Sequence, residues 1–315
     1  MRRLPDLADS FPGPFPVSPH APHVQARLDE WLTRYPLIGS ERARRALCDI
    51  TAHGIARTFP TADLPGLEIA ADLLLWLTAF DDAHAEAAGA RDPAALVRRV
   101  AGFLRLGDGA QPPRDTDPFG AALADVLARA RRRAAPEQYV RLTNSLRDSL
   151  YGLVWEAHEL AGGGHVEVAD YRAMRPHTVF VRTVVATAEP VLGYTLTPDE
   201  RDARPVRELE SAVGDLAGWI NDLASYERER KRSGGRDPFS LPTLLTAERG
   251  CDVDKAFEII AAMCEEEARR ARARITELTQ SVPDRSATAT VTHARALESI
   301  AASYVWHIGH GRYGG

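Results

Sequence analysis

Lysine and asparagine are nearly missing from this 315-residue chain. Only Lys231 and Lys255 stand beside 37 arginines, and only Asn144 and Asn221 represent asparagine. The lysine shortage is a mark of GC-rich coding, expected of a bacterial genome, and assigns no chemistry. Cysteine is scarce as well. Cys48, Cys251 and Cys264 have no CxxC spacing, which excludes a zinc site or a disulfide framework and leaves three reduced core thiols. No run of about 18 apolar residues is present, so no membrane-spanning helix is expected. The N-terminal MRRLPDLADS lacks the apolar stretch of a signal peptide, and the expected location is the cytoplasm. A net charge of −5 offers no general attraction to nucleic acid or membrane. Alternating strands, internal repeats and a long linker are also missing.

What is present is helical periodicity. Residues 1–22, with FPGPFPVSPHAP, form a proline-rich arm that cannot be helical throughout. The pattern then predicts helices at 23–35, 40–57, 67–88, 92–106, 117–135, 136–160, 168–192, 198–231, 253–281 and 287–309, with breaks at glycine and proline. The stretches 69–80, 178–188 and 296–306 are apolar along most of their length, which suits helices inside a bundle. The expected architecture is all-α: one domain over 1–315, a helical bundle around a central apolar cavity.

One of those greasy helices ends in acid. The run from Ile69 to Phe80, broken only by Asp72 and Thr78, leads into Asp81, Asp82 and then Glu86. Adjacent carboxylates repel unless a cation or protons neutralise them, and hard oxygen ligands suit Mg²⁺. A solvated helix end would also tolerate the pair, so the second acidic segment matters. In WINDLASYERERKR, Asn221, Ser225 and Glu229 fall at i, i+4 and i+8 on one helix face. Their end Cα atoms lie about 12 Å apart, close enough for a leaning Asn and Glu to meet over Ser225. One of only two asparagines therefore stands where an amide oxygen could serve a metal.

These motifs resemble those of bacterial class I terpene synthases, or terpene cyclases. The aspartate-rich motif stands as Asp81, Asp82 and Glu86, and the second metal motif, (N/D)Dxx(S/T)xxxE, is complete as Asn221, Asp222, Ser225 and Glu229. Arg175 lies 46 residues before Asn221, the spacing of that family's diphosphate sensor. Arg312 and Tyr313 match the terminal Arg-Tyr pair, with Trp306 six residues earlier. Two details depart from the pattern. Glu86 stands five residues after Asp81, about 140° round an α-helix, and Arg228 replaces a common Lys.

The resemblance implies a Mg²⁺-dependent lyase, with three ions when substrate is bound, that ionises a linear isoprenoid diphosphate and cyclises the cation with release of pyrophosphate. The metal ligands would be Asp81, Asp82, Glu86, Asn221, Ser225 and Glu229. Arg175, Arg228, Arg312 and Tyr313 would grip the diphosphate by charge-assisted hydrogen bonds. Thr178 and Val179 match the linker and effector positions at a helix break beside Pro176. Trp76, Phe80 and Trp306 are the candidate aromatic walls for the cation, with core packing as the competing role. Farnesyl diphosphate is the default substrate and geranylgeranyl diphosphate the next. Nucleic acid and membrane are not expected partners, and a homodimer is compatible with the sequence. The competing readings are a prenyl diphosphate synthase or condensing enzyme of the same fold, which would carry a second DDxxD, and a non-catalytic helical interaction module.

Overall fold

The computed structural model describes residues 4–85, 87–110, 117–163, 165–280 and 288–308. Among these the chain is helical and holds no strand. In chain order the helices are α1 (Ala21–Arg34), α2 (Glu41–Thr58), α3 (Leu64–Phe80), α4 (Ala87–Arg91), α5 (Pro93–Gly107), α6 (Pro118–Arg133), α7 (Pro136–Gly162), α8 (Val168–Thr178), α9 (Val181–Leu192), α10 (Pro198–Asp202), α11 (Arg204–Arg232), α12 (Leu241–Arg249), α13 (Val253–Gln280) and α14 (Ala289–Ile308). A single π-helical turn, Asp81–Ala85, follows α3.

Local chemistry sets many of the boundaries. Asp63, Asp92 and Asp117 each cap a helix, accepting 2.9 Å bonds from the N–H of Gly66, Ala95 and Phe119, and a proline occupies the first turn of each of those helices. The sequence predicts one helix over 168–192. The structure breaks it at Val179 and Phe180, where Phe180 takes a left-handed φ of 66°. Pro176 lies inside the last turn of α8 and weakens it. The predicted 67–88 helix divides at the π turn, and 198–231 divides into α10 and α11.

The helix α12 is not predicted at all, and the reason is physical. Its N-cap Ser240 makes no side-chain cap. The N–H of Leu241 instead donates 3.1 Å to Asp222 Oδ2, nineteen residues back on α11. A cap supplied from another helix leaves no signature in the local sequence.

The described chain falls into two compact units. One comprises Val17–Gly164 and Arg182–Thr195, hence α1–α7, the π turn and nearly all of α9. Its centre is α3, whose Leu67, Leu75, Trp76, Leu77 and Phe80 are fully buried. Asp72 of α3 is also fully buried and ties this core together. It pairs with Arg27 of α1 at 2.9 Å and with Arg129 of α6. Burial pushes its carboxyl up to about 6, against the pull of Arg129 and Arg27. The other unit comprises the chain up to Pro16, His165–Val181 and everything from Leu196. There α11 packs along α13 and α14, and α8 and α12 pack against α11 as well.

Candidate metal and diphosphate site

The first acidic motif begins where α3 ends. Asp81 N–H reaches both Leu77 O and Thr78 O, and the chain then widens into the π turn that carries Asp81, Asp82 and His84. Such a turn holds an extra residue within the helical ladder, pairing i with i+5 where an α-helix pairs i with i+4. Asp81 is half-buried and Asp82 exposed. His84 is stapled in place: its Nε2 meets Arg99 Nη1, and Arg99 Nη2 lies 3.1 Å from Asp117, the cap of α6. Burial and the Arg99 charge hold the imidazole below its ordinary pKa, so it is neutral beside that guanidinium. Glu86 lies outside the described residues.

Trp76 and Phe80 stack at 5.3 Å, and each meets Phe103 and Phe119 edge-on at 5.1–6.2 Å. The Trp76 indole N–H donates 2.8 Å to Phe119 O. Both rings have no exposed surface. As described, they pack the core behind the motif.

The second motif lies on one face of α11. Ser225 is buried, and its Oγ has no hydrogen-bond partner. Asn221 precedes it by one turn and Glu229 follows by one, the latter a quarter exposed with Arg228 Nη2 at 3.7 Å. A buried hydroxyl without a partner is costly in an ordinary core. Between an amide oxygen and a carboxylate it completes a set of hard oxygen donors. That set fits a hard divalent cation such as Mg²⁺ and not a soft one.

Asp222, between these donors in sequence, is used otherwise. It is fully buried, and both its oxygens are engaged. Tyr171 Oη donates to Oδ1 at 3.2 Å and Oδ2 at 3.0 Å, Arg175 Nη2 pairs with Oδ1 at 2.8 Å, and Leu241 N–H takes Oδ2. Burial pushes this carboxyl up while Arg175 pulls it down. Arg175 reaches Asp222 by lying across Gly218, where an added Cβ would stand 2.7 Å from its Cγ. Its guanidinium also donates 2.8 Å to Asn221 Oδ1 and 3.1 Å to Thr178 Oγ1. Val179, mostly buried at the helix break, accepts 3.4 Å from Tyr304 Oη of α14 through its carbonyl. Trp306 is half-buried two residues further on. Arg312 and Tyr313 lie outside the described residues. The unit thus brings Arg175, Thr178, Asn221 and Asp222 into one network. Sequence reasoning gave Asp222 no role and missed Tyr171 and Gly218. The Gly-Trp-Ile-Asn order was the only available signal, a glycine one turn ahead of a motif.

A helical fold among the described residues, with an oxygen-donor motif beside a largely buried arginine, points to the class of metal-dependent enzymes that act on anionic substrates. Comparison with known proteins identifies the particular family. The model of terpene synthase family 2, C-terminal metal binding, matches residues 72–270, and the chain belongs to that family. It is 55% identical over 311 residues to a (12E)-labda-8(17),12,14-triene synthase of Streptomyces anulatus, covering 98% of this chain and 95% of the relative. It is 36% identical over 280 residues to a labda-7,13(16),14-triene synthase of Streptomyces clavuligerus, covering 88% and 80%. The solved linalool/nerolidol synthase of Streptomyces clavuligerus superposes with a TM-score of 0.80 at 22% identity, covering 95% of this chain and 99% of that one, which shows the fold. The chain is therefore a class I terpene synthase of bacterial type, a lyase acting on a prenyl diphosphate with a metal cofactor. The condensing-enzyme and interaction-module readings are not favoured.

Proposed function

We propose that this enzyme ionises a C20 labdane diphosphate whose two rings are already closed, and that it makes a labdatriene by proton loss. The observation that carries this reading is the 55% identity over nearly the whole chain to a labda-8(17),12,14-triene synthase. The double bonds in that name define the chemistry. Heterolysis of C15–O in labda-8(17),13-dien-15-yl diphosphate sends the bonding pair out with pyrophosphate and leaves an allylic cation over C13–C15. Loss of one proton from C12 gives C12=C13 and C14=C15, with the 8(17) alkene untouched. The 36% relative is named for a 13(16),14-diene, which the same kind of cation gives when the proton leaves C16.

Asp81, Asp82 and Glu86, with Asn221, Ser225 and Glu229, would hold Mg²⁺ in this reading, three ions in all. When bound, the metal stabilises the negative charge of the departing diphosphate. Arg175, Arg228, Arg312 and Tyr313 bind its oxygens, which favours the transition state over the ground state as charge develops. Thr178 holds the Arg175 guanidinium at the helix break, and the Val179 carbonyl stands at that break as a fixed dipole. Trp306 is the remaining candidate for the hydrocarbon wall. The chain 1–315 is read as a single terpene synthase domain with a proline-rich arm over 1–22.

The test uses substrate carrying two deuterium atoms at C12. The reading expects a Mg²⁺-dependent triene that has lost one deuterium, analysed by gas chromatography with mass detection. A product that keeps both deuterium atoms, or a tertiary alcohol as sole product, would overturn it.

A further inference from the structure

Arg175 does more than wait for a diphosphate: we propose that it is a latch on the metal motif, parked on Asn221 by Gly218 and Asp222. The proposal rests on Asn221, Ser225 and Glu229 being the metal ligands and Arg175 a diphosphate contact, as argued above. The amide oxygen of Asn221 already accepts 2.8 Å from Arg175 Nη2, the nitrogen that pairs with Asp222. A divalent cation on that same oxygen would sit within a few ångströms of a guanidinium in a largely buried setting, where like charges repel strongly. Metal at Asn221 and Arg175 at Asn221 therefore exclude each other.

Two features fix the parked position. Gly218 leaves a groove on α11 into which the Arg175 stem fits, with Cγ 2.7 Å from where a Cβ would be. Asp222 holds the charge there, itself anchored by Tyr171 and the start of α12. An arriving diphosphate offers the guanidinium a stronger anionic partner. As Arg175 turns to it, the Asn221 oxygen is released one turn from the partnerless Ser225 Oγ. Anion binding and metal binding are thereby coupled through one side chain, reciprocally, as linkage requires. The device keeps the motif weak for metal until the diphosphate is present.

The test measures Mn²⁺ alone, by electron paramagnetic resonance, and then inorganic pyrophosphate with Mn²⁺ by calorimetry. The chain, its Asn221→Ala variant, Arg175→Met and Gly218→Ala are compared. The loss in Asn221→Ala isolates the ion of this motif. Arg175→Met removes the latch. Gly218→Ala displaces it while keeping every charge, which guards against a misfolded arginine variant with Asp222 left unpaired. The expected signature is opposite in the two measurements: Mn²⁺ alone binds about tenfold tighter or more in both variants, and pyrophosphate binds more weakly. A structural role would lower both affinities together with the melting temperature. If Mn²⁺ affinity is unchanged or weaker in Gly218→Ala while Asn221→Ala loses the ion, the latch is wrong and the metal site stands. If Asn221→Ala binds as many ions as the parent chain, the metal assignment falls and the latch with it.

Discussion

Ser225 is the residue whose environment speaks most directly for a metal. Its Oγ is buried and has no partner, so removing it sacrifices no hydrogen bond. Ser225→Ala should leave the melting temperature within about a degree, or raise it, since an orphaned polar group costs roughly 1–3 kcal/mol. Mg²⁺-dependent turnover should fall at least tenfold. A large loss of stability would make Ser225 a packing residue instead. Trp76 and Phe80 should behave in the opposite way. Each is fully buried within an aromatic cluster, so Phe80→Ala should cost about 3–5 kcal/mol of stability and leave the ratio of products unchanged. Melting curves beside a product distribution decide it, and a changed distribution with normal melting would return these rings to the pocket wall. The face carrying Asn221, Ser225 and Glu229 was legible because helical geometry is local. The parts played by Asp222, Tyr171 and Gly218 were not, because they depend on where α8 and α12 meet α11.

Among the elements, the π turn Asp81–Ala85 carries the two aspartates of the first motif. Its backbone pairs i with i+5 where an α-helix pairs i with i+4. No apolar pattern distinguishes the two, so the sequence showed a helix running to 88. The turn is stapled through His84 to Arg99 and, by Arg99, to the cap of α6. The folded imidazole has a depressed pKa, so its contribution to stability is full above the unfolded value of 6.5 and is lost as pH falls below it. Protonation would set two cations against each other. Melting temperature should therefore drop between about pH 7 and pH 5, and His84→Gln should flatten part of that slope. An unchanged slope would show that the staple does not titrate. The break between α8 and α9 was partly legible, since Pro176 signals it and the positive φ of Phe180 does not show in sequence. The helix α12 was invisible because its cap comes from Asp222.

For the whole molecule, composition and periodicity were enough for an all-α chain, and two short motifs were enough for the family. Substrate length was not legible, since it depends on the contour of a cavity and not on any motif. The default of farnesyl diphosphate gives way here to a C20 labdane proposal through likeness over the full chain. Metal and anion should stabilise the enzyme together. A ligand at 100 times its Kd adds about 2.7 kcal/mol, so Mg²⁺ with pyrophosphate should raise the melting temperature by several degrees. Either one alone should do little, and a full shift with Mg²⁺ alone would contradict the coupling through Arg175.

The proposed reaction is the ionisation and deprotonation of a bicyclic C20 diphosphate. It is tested most directly by competition, with purified enzyme, Mg²⁺ and equal amounts of labda-8(17),13-dien-15-yl, geranylgeranyl and farnesyl diphosphates in one vessel, and hydrocarbon products followed over time. Labda-8(17),12,14-triene is expected to form first and to dominate. Faster conversion of either linear diphosphate to cyclic products, with the labdane diphosphate left unreacted, would contradict it.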